Sequence, residues 1–152
     1  MNYFSIYDNC VRYYRVYKKC GYYNIEKEFE IVDISIRRNL KRVSFNIIKV
    51  DRNNNEVLHL HRRGKPALLV YKDNCISEIF FYRWDKYHRM NGPAVIIYNY
   101  YEYLEYYQNG ELHRIGGPAI ITLDKNRIIN QIWYIYGEEL SKEEYYENVL
   151  CI

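Results

Sequence analysis

Short apolar runs recur along the second half of the chain, each followed by polar turn residues and then by an aromatic segment. The runs read "ALLVY", "AVIIY" and "AIITL", and the polar segments after them "KDN", "NYYE" and "DKNR". The aromatic segments are "ISEIFFYRW", "YLEYYQ" and "IINQIWYIY". Runs of about 5–8 residues between turn signals are too short for ordinary helices. The pattern predicts strand, tight turn, strand, and so a series of β-hairpins. Two of the aromatic strands end in a glycine turn, "QNGEL" and "IYGEEL", and "RWDKY" takes that place in the earlier copy.

Between hairpins the chain repeats a motif, H-R-x-x-(G/K)-P-A. Its copies begin at His61, His88 and His113, spaced 27 and 25 residues apart, and they contain all 3 prolines: Pro66, Pro93 and Pro118. Proline suits the head of a strand, where its missing N–H breaks no ladder bond. A glycine before it supplies the positive φ of a tight turn. The alanine after it lets neighbouring backbone approach closely. The motif thus reads as a joint between successive hairpins. Its histidines, with Arg62, Arg89 and Arg114, are candidate structural residues that bond to backbone or tyrosine hydroxyls, stack on tyrosine or pair with glutamate. Arg89 with Glu105 or Glu111 is one such pair.

The N-terminal part, residues 1–55, reads as eroded copies of this plan. "VSFNIIKVDRNNNEVLHLH" is strand, polar turn, strand; "FEIVDISI" is another strand, and "YYRVYKKCGYY" two short strands about a Lys-Cys-Gly turn. In the first dozen residues and just beyond, Ile6, Cys10, Tyr13 and Tyr17 also fit a helical face. Residues 141–152 depart from the pattern. Ser141 followed by Glu144 forms a capping box, and Glu143 and Glu144 favour a helix N-terminus. This short helix caps the array, covering an edge that would otherwise invite aggregation. The expected fold is therefore all-β: one elongated antiparallel hairpin repeat over residues 1–152, clear over 56–140, with a C-terminal capping helix.

Composition sharpens this picture. The chain has 152 residues, 20 of them tyrosine. Tyrosine joins an apolar body to a polar tip and favours half-buried faces and interfaces. No apolar run approaches the roughly 18 residues of a transmembrane helix, and the opening residues lack the apolar core of a signal peptide, so a cytosol-like compartment is expected. The four cysteines, Cys10, Cys20, Cys75 and Cys151, lack metal or redox spacing and are read as free thiols. The net charge of +3 is polarised: residues 1–65 carry 14 Lys/Arg against 7 Asp/Glu, and residues 66–152 carry 8 against 12. Such a field orients a molecule on a partner.

The unit in "YYQNGELHRIGGPAIITLDKNRIINQIWYIYGEEL" resembles the MORN-like repeats of giant DNA viruses of amoebae and some phages. The likeness covers residues 56–140. It departs from the common MORN pattern in its longer period, its fewer glycines and its HR…GPA ending. The resemblance implies an elongated, twisted antiparallel sheet and association with protein and in some cases phospholipid; it does not imply a catalytic activity. A viral or host protein partner is expected, in the host cytoplasm or the virion.

His59 and His61 share a strand face, but repeat-equivalent histidines should lie roughly 10 Å apart across two-strand units. One metal needs its imidazole nitrogens within about 4 Å of each other, so no metal is expected. No serine sits in a nucleophile elbow, and no glycine loop opens a helix to hold phosphate; neither a catalytic residue nor a cofactor is expected. Tyr103, Tyr106, Tyr107, Trp133, Tyr134 and Tyr136 are candidate partner contacts. Arg37, Arg38, Lys41, Arg42, Arg62 and Arg63 are candidate anion-binding residues for nucleic acid or anionic lipid, with tyrosines nearby to stack on bases. The leading expectation is a non-enzymatic interaction scaffold.

Overall fold

The computed structural model describes residues 2–7, 10–16, 28–50 and 56–150, with side chains described for 32–36, 38–47 and 57–149. The fold is an antiparallel β meander closed by one short helix. Strands β1 (Asn2–Tyr7), β2 (Cys10–Val16), β3 (Glu28–Arg37) and β4 (Leu40–Val50) run in sequence order, each paired with the next. The sheet continues through β6 (Leu68–Lys72), β7 (Cys75–Phe80), β10 (Val95–Tyr98), β11 (Glu102–Glu105), β14 (Ile120–Asp124), β15 (Arg127–Ile135) and β16 (Glu138–Leu140). The N-terminal residues that fit a helical face are therefore strands as far as Val16. Tyr17 and the Lys-Cys-Gly turn lie outside the described residues, as does the turn at 51–55.

The repeating unit holds two hairpins, where the sequence pattern suggested one. After each of the β6–β7 and β10–β11 hairpins of the large sheet a shorter one leaves it. These are β8 (Tyr82–Arg83) with β9 (Lys86–Tyr87), and β12 (Tyr107–Gln108) with β13 (Glu111–Leu112). At the two flanks one long strand serves both hairpins. The first part of β4 pairs with β6 while its last part pairs with β5 (Glu56–Leu60), and the last part of β15 pairs with β16. The aromatic segment "ISEIFFYRW" thus breaks at Phe81. Phe81 N–H donates to the Ala94 carbonyl and its own carbonyl accepts from His88 N–H, so the strand changes partner there.

Turn chemistry fixes these hairpins. Both central residues of Asp73-Asn74, Lys125-Asn126 and Trp84-Asp85 have positive φ. That geometry matches the right-handed twist of the flanking strands. Asn109-Gly110 and Tyr136-Gly137 repeat it in the two later short hairpins.

The core sits at the joints. Ala67, Ala94 and Ala119 are each 0% exposed, and Val70, Phe81, Val95 and Ile121 are buried. Each of these alanines accepts a backbone bond from the aromatic residue of the preceding unit: Phe45 N–H to Ala67 at 2.7 Å, Phe81 to Ala94 and Tyr106 to Ala119 at 2.8 Å. A larger side chain would push these strands apart.

The helix α1 (Lys142–Leu150) follows β16 and packs on β15 and β16. Its start is the reciprocal box: Ser141 N–H donates to Glu144 Oε2 at 2.8 Å, and Glu144 N–H to Ser141 Oγ at 3.2 Å. These bonds hold the Glu144 carboxyl below its ordinary pKa. No helix among the described residues is long and apolar enough to cross a membrane.

Candidate functional site

The three joints share one set of contacts. Each histidine Nδ1 accepts a backbone N–H from the turn of the next short hairpin: Trp84 to His61 at 3.2 Å, Asn109 to His88 at 3.1 Å, Tyr136 to His113 at 3.2 Å. An imidazole that accepts at Nδ1 is neutral and carries its proton on Nε2. The donors are turn residues with φ near +50°, which aims their N–H groups away from their own hairpin. The rings add to this at two joints: His61 lies 4.2 Å from Trp84 and His113 stacks at 4.1 Å on Tyr136. Burial lowers the pKa of His113 and of His88, and the nearby Arg83 charge lowers that of His88 further.

The arginines are equally uniform. Their guanidinium carbons sit 3.7 Å over the Phe45 ring, 3.9 Å over Phe81 and 3.9 Å over Tyr106, for Arg62, Arg89 and Arg114 respectively. Each donates from its Nη1 to the carbonyl of its own proline: Pro66 at 3.2 Å, Pro93 at 3.0 Å and Pro118 at 3.1 Å. A Cβ on Gly92 would come within 3.1 Å of the Arg89 guanidinium and one on Gly117 within 3.3 Å of that of Arg114, so glycine eases the fold-back at these two joints; the first makes the same contacts with Lys65 in that place. Arg89 pairs with neither Glu105 nor Glu111; it is held by a ring and a carbonyl.

A tyrosine ladder runs across the short hairpins. Tyr82, Tyr87 and Tyr107 follow at centroid separations of 4.6 and 5.1 Å. Burial, and then a bond to Tyr87, pushes the Tyr82 hydroxyl pKa up. Burial, and then the Glu105 charge, raises that of Tyr107 to about 12. The Tyr134 hydroxyl donates to Glu139. Among the named contact candidates, Tyr103, Tyr106, Tyr107, Trp133 and Tyr134 are half-buried, and only Tyr136 is exposed. The Trp133 indole N–H is buried without an acceptor.

Among the basic candidates, Arg38, Lys41, Arg42 and Arg63 are exposed, and Arg62 is half-buried on Phe45. Arg38 occupies the turn between β3 and β4. The Arg37 side chain lies outside the described residues. Among the described residues no group of three or more His, Cys, Asp or Glu could hold a metal. His59 instead meets Asp85, Nδ1 to Oδ2, at 2.6 Å.

The structure also brings forward residues that the motif reading passed over. Met90 and Ile115, the third residues of their joints, are 76% and 61% exposed, and Tyr100 is 85% exposed. A cavity of about 650 Å³ lies between the first two joints, lined in part by Arg63, Gly64, Arg83, Trp84, Arg89 and Met90. The signal for the exposed tips was present: position three of each joint varies freely among Arg, Met and Ile, as a side chain without a fixed contact would.

No protein-family model, curated protein or solved structure matches this chain.

Proposed function

We propose that this chain is a non-enzymatic β-repeat scaffold of the MORN-like kind, a protein-interaction module of a viral accessory or virion-associated protein. The observation that carries this reading is the joint itself. All three histidines and all three arginines of the repeated motif are spent on internal backbone and ring contacts. Large side chains, by contrast, stand out at Met90 and Ile115, and at Tyr136, which has one face on His113 and is otherwise exposed. Exposed aromatic and methionine side chains are the usual anchors of protein interfaces.

The test is capture of a partner from native or infected cells by the chain and by two single variants, Ile115→Ser and Tyr136→Asn. Asparagine occupies the equivalent turn position at Asn109. Ile115→Ser alone touches no joint contact and should leave the melting temperature unchanged, whereas Tyr136→Asn also gives up the ring stack on His113. Capture lost in both single variants supports the reading, and undiminished capture removes these residues from the interface.

Anionic ligands are a second reading, favoured by the exposed Arg38, Lys41 and Arg42 on the β3–β4 hairpin. Replacing Arg37, Arg38, Lys41 and Arg42 together leaves partner capture intact on the scaffold reading. On the second it removes salt-dependent binding to single-stranded nucleic acid or anionic vesicles.

A further inference from the structure

The third joint is occupied by a side chain from elsewhere in the fold. Tyr145 of α1 is 1% exposed. Its hydroxyl accepts N–H bonds from Gly116 at 2.7 Å and Gly117 at 3.0 Å, and donates to the Arg114 carbonyl at 2.9 Å. The backbone of one joint therefore forms a seat for a phenol, with two donors and one acceptor converging on a single oxygen.

At the first joint no described residue donates to or accepts from the corresponding backbone groups. Aligning the motifs places Arg62, Gly64 and Lys65 where Arg114, Gly116 and Gly117 stand. Gly64 and Gly116 share the left-handed conformation, at φ 68° and 93°, and a Cβ built on either meets nothing within 4 Å. At the second joint Asn91 stands in that place without positive φ, so the loop there takes a different path. No hydrogen bond from another described residue reaches the Gly64 or Lys65 N–H. The cavity of about 650 Å³ opens on this loop, with Trp84 on its wall.

The surroundings specify the visitor. Arg63 and Arg83 are exposed at the cavity, and Arg89 also lines it. The segment that fills the seat at the third joint, "SKEEYYENVL", is rich in glutamate around its tyrosines. The Arg62 carbonyl calls for a donor and the Gly64 and Lys65 N–H groups for an acceptor; a phenol is both and a bare carboxylate is not. We infer that the cleft between the first two joints docks an acidic, tyrosine-bearing segment of a partner protein, with the tyrosine hydroxyl seated on the Arg62–Lys65 backbone. This rests on the protein-interaction reading above and names its partner's chemistry.

The experiment titrates a synthetic peptide of residues 141–150 into the isotopically labelled full chain and follows backbone amide and indole resonances. Shifts at Gly64, Lys65 and Trp84 are expected. Binding should weaken about tenfold or more, the value of one to two good hydrogen bonds, when phenylalanine replaces the peptide tyrosine equivalent to Tyr145. It should weaken comparably when the chain carries Arg63→Glu and Arg83→Glu. Both arginines are exposed, so this variant should melt as the unmodified chain does. Three outcomes overturn the inference: no shifts at millimolar peptide, equal binding of the phenylalanine peptide, or shifts at Gly116 and Gly117 instead, which would mean exchange with the chain's own helix. Self-association abolished by Tyr145→Phe would overturn it too, because the occupant would be a second copy. Peptide failure alongside partner capture that depends on Ile115 and Tyr136 sinks the cleft but leaves the scaffold reading standing.

Discussion

Tyr136 meets His113 twice: its backbone N–H donates to the imidazole Nδ1 at 3.2 Å, and its ring stacks on the imidazole at 4.1 Å. The bond joins a joint to the turn of the following hairpin. Replacing His113 by alanine strands that N–H and leaves a void where a 3% exposed residue stood. The Tyr136 N–H is only part-buried, so leaving it unsatisfied costs toward the lower end of the about 1–3 kcal/mol of a fully buried group, and the void adds to it. Thermal unfolding of His113→Ala should show a loss of that order, with the far-ultraviolet β signature retained below the new midpoint.

Acid should loosen the same contacts. A protonated Nδ1 becomes a donor facing a donor. His88 and His113 both have folded pKa values below the ordinary 6.5. The unfolded chain therefore binds more protons than the folded one as pH falls past 6.5, and stability declines with it. Their contribution is fully present above that value and lost once the pH drops through the lowered folded values. Arg83 beside His88 opposes protonation, and Glu111 near His113 favours it. Melting temperature against pH should be flat from about 7 to 8 and fall below about 6.5. In a variant carrying alanine at both positions the part of the slope due to these two groups should vanish.

The arginines test shape against charge. The Arg89 guanidinium carbon sits 3.9 Å over the Phe81 ring while the side chain bonds the Pro93 carbonyl at 3.0 Å. Lysine keeps the charge but cannot do both. Arg89→Lys and Arg89→Ala should each destabilise by about 1–3 kcal/mol, from a stacked cation and a charged hydrogen bond. Lysine should recover less than half of the alanine loss in denaturant titration.

Close approach at the joints predicts intolerance to size. Ala94 is 0% exposed and accepts the Phe81 N–H at 2.8 Å. Ala94→Val should cost about 1–3 kcal/mol, measurable as a fall in the urea midpoint. Ala67→Val and Ala119→Val should behave alike, since the three sites share one geometry.

The helix start offers a smaller, cleaner effect. Ser141→Ala removes the acceptor for the Glu144 N–H and should cost about 0.5–2 kcal/mol. Amide exchange should quicken across residues 142–146 before it does in β15.

The all-β meander and the capping box were legible in the sequence because each depends on local chemistry: short apolar runs, turn residues, a serine three before a glutamate. The position of the joints was legible because the motif repeats. What escaped was the second hairpin in each unit. Its strands are 2 residues long in β8 and β9 and merge into the aromatic run before Phe81. Only the tertiary bonds of Phe81 reveal the break. The histidine partners also escaped, because a turn N–H 21 or 23 residues ahead leaves no mark in composition. Nor did the aromatic pattern say which tyrosines face outward. Tyr106 lies half-buried under Arg114, while Tyr100 stands 85% exposed.

Each histidine bond points one way along the chain. A ribosome that has just delivered His61 has not yet delivered Trp84, and the same delay separates His88 from Asn109 and His113 from Tyr136. During synthesis the newest joint is thus always provisional, made good only when the following hairpin emerges. Leu140 pairs with Trp133 as His113 does with Tyr106, yet its side chain carries no nitrogen to be satisfied. At that position the debt passed from unit to unit is simply not incurred, and the growing chain can stop waiting.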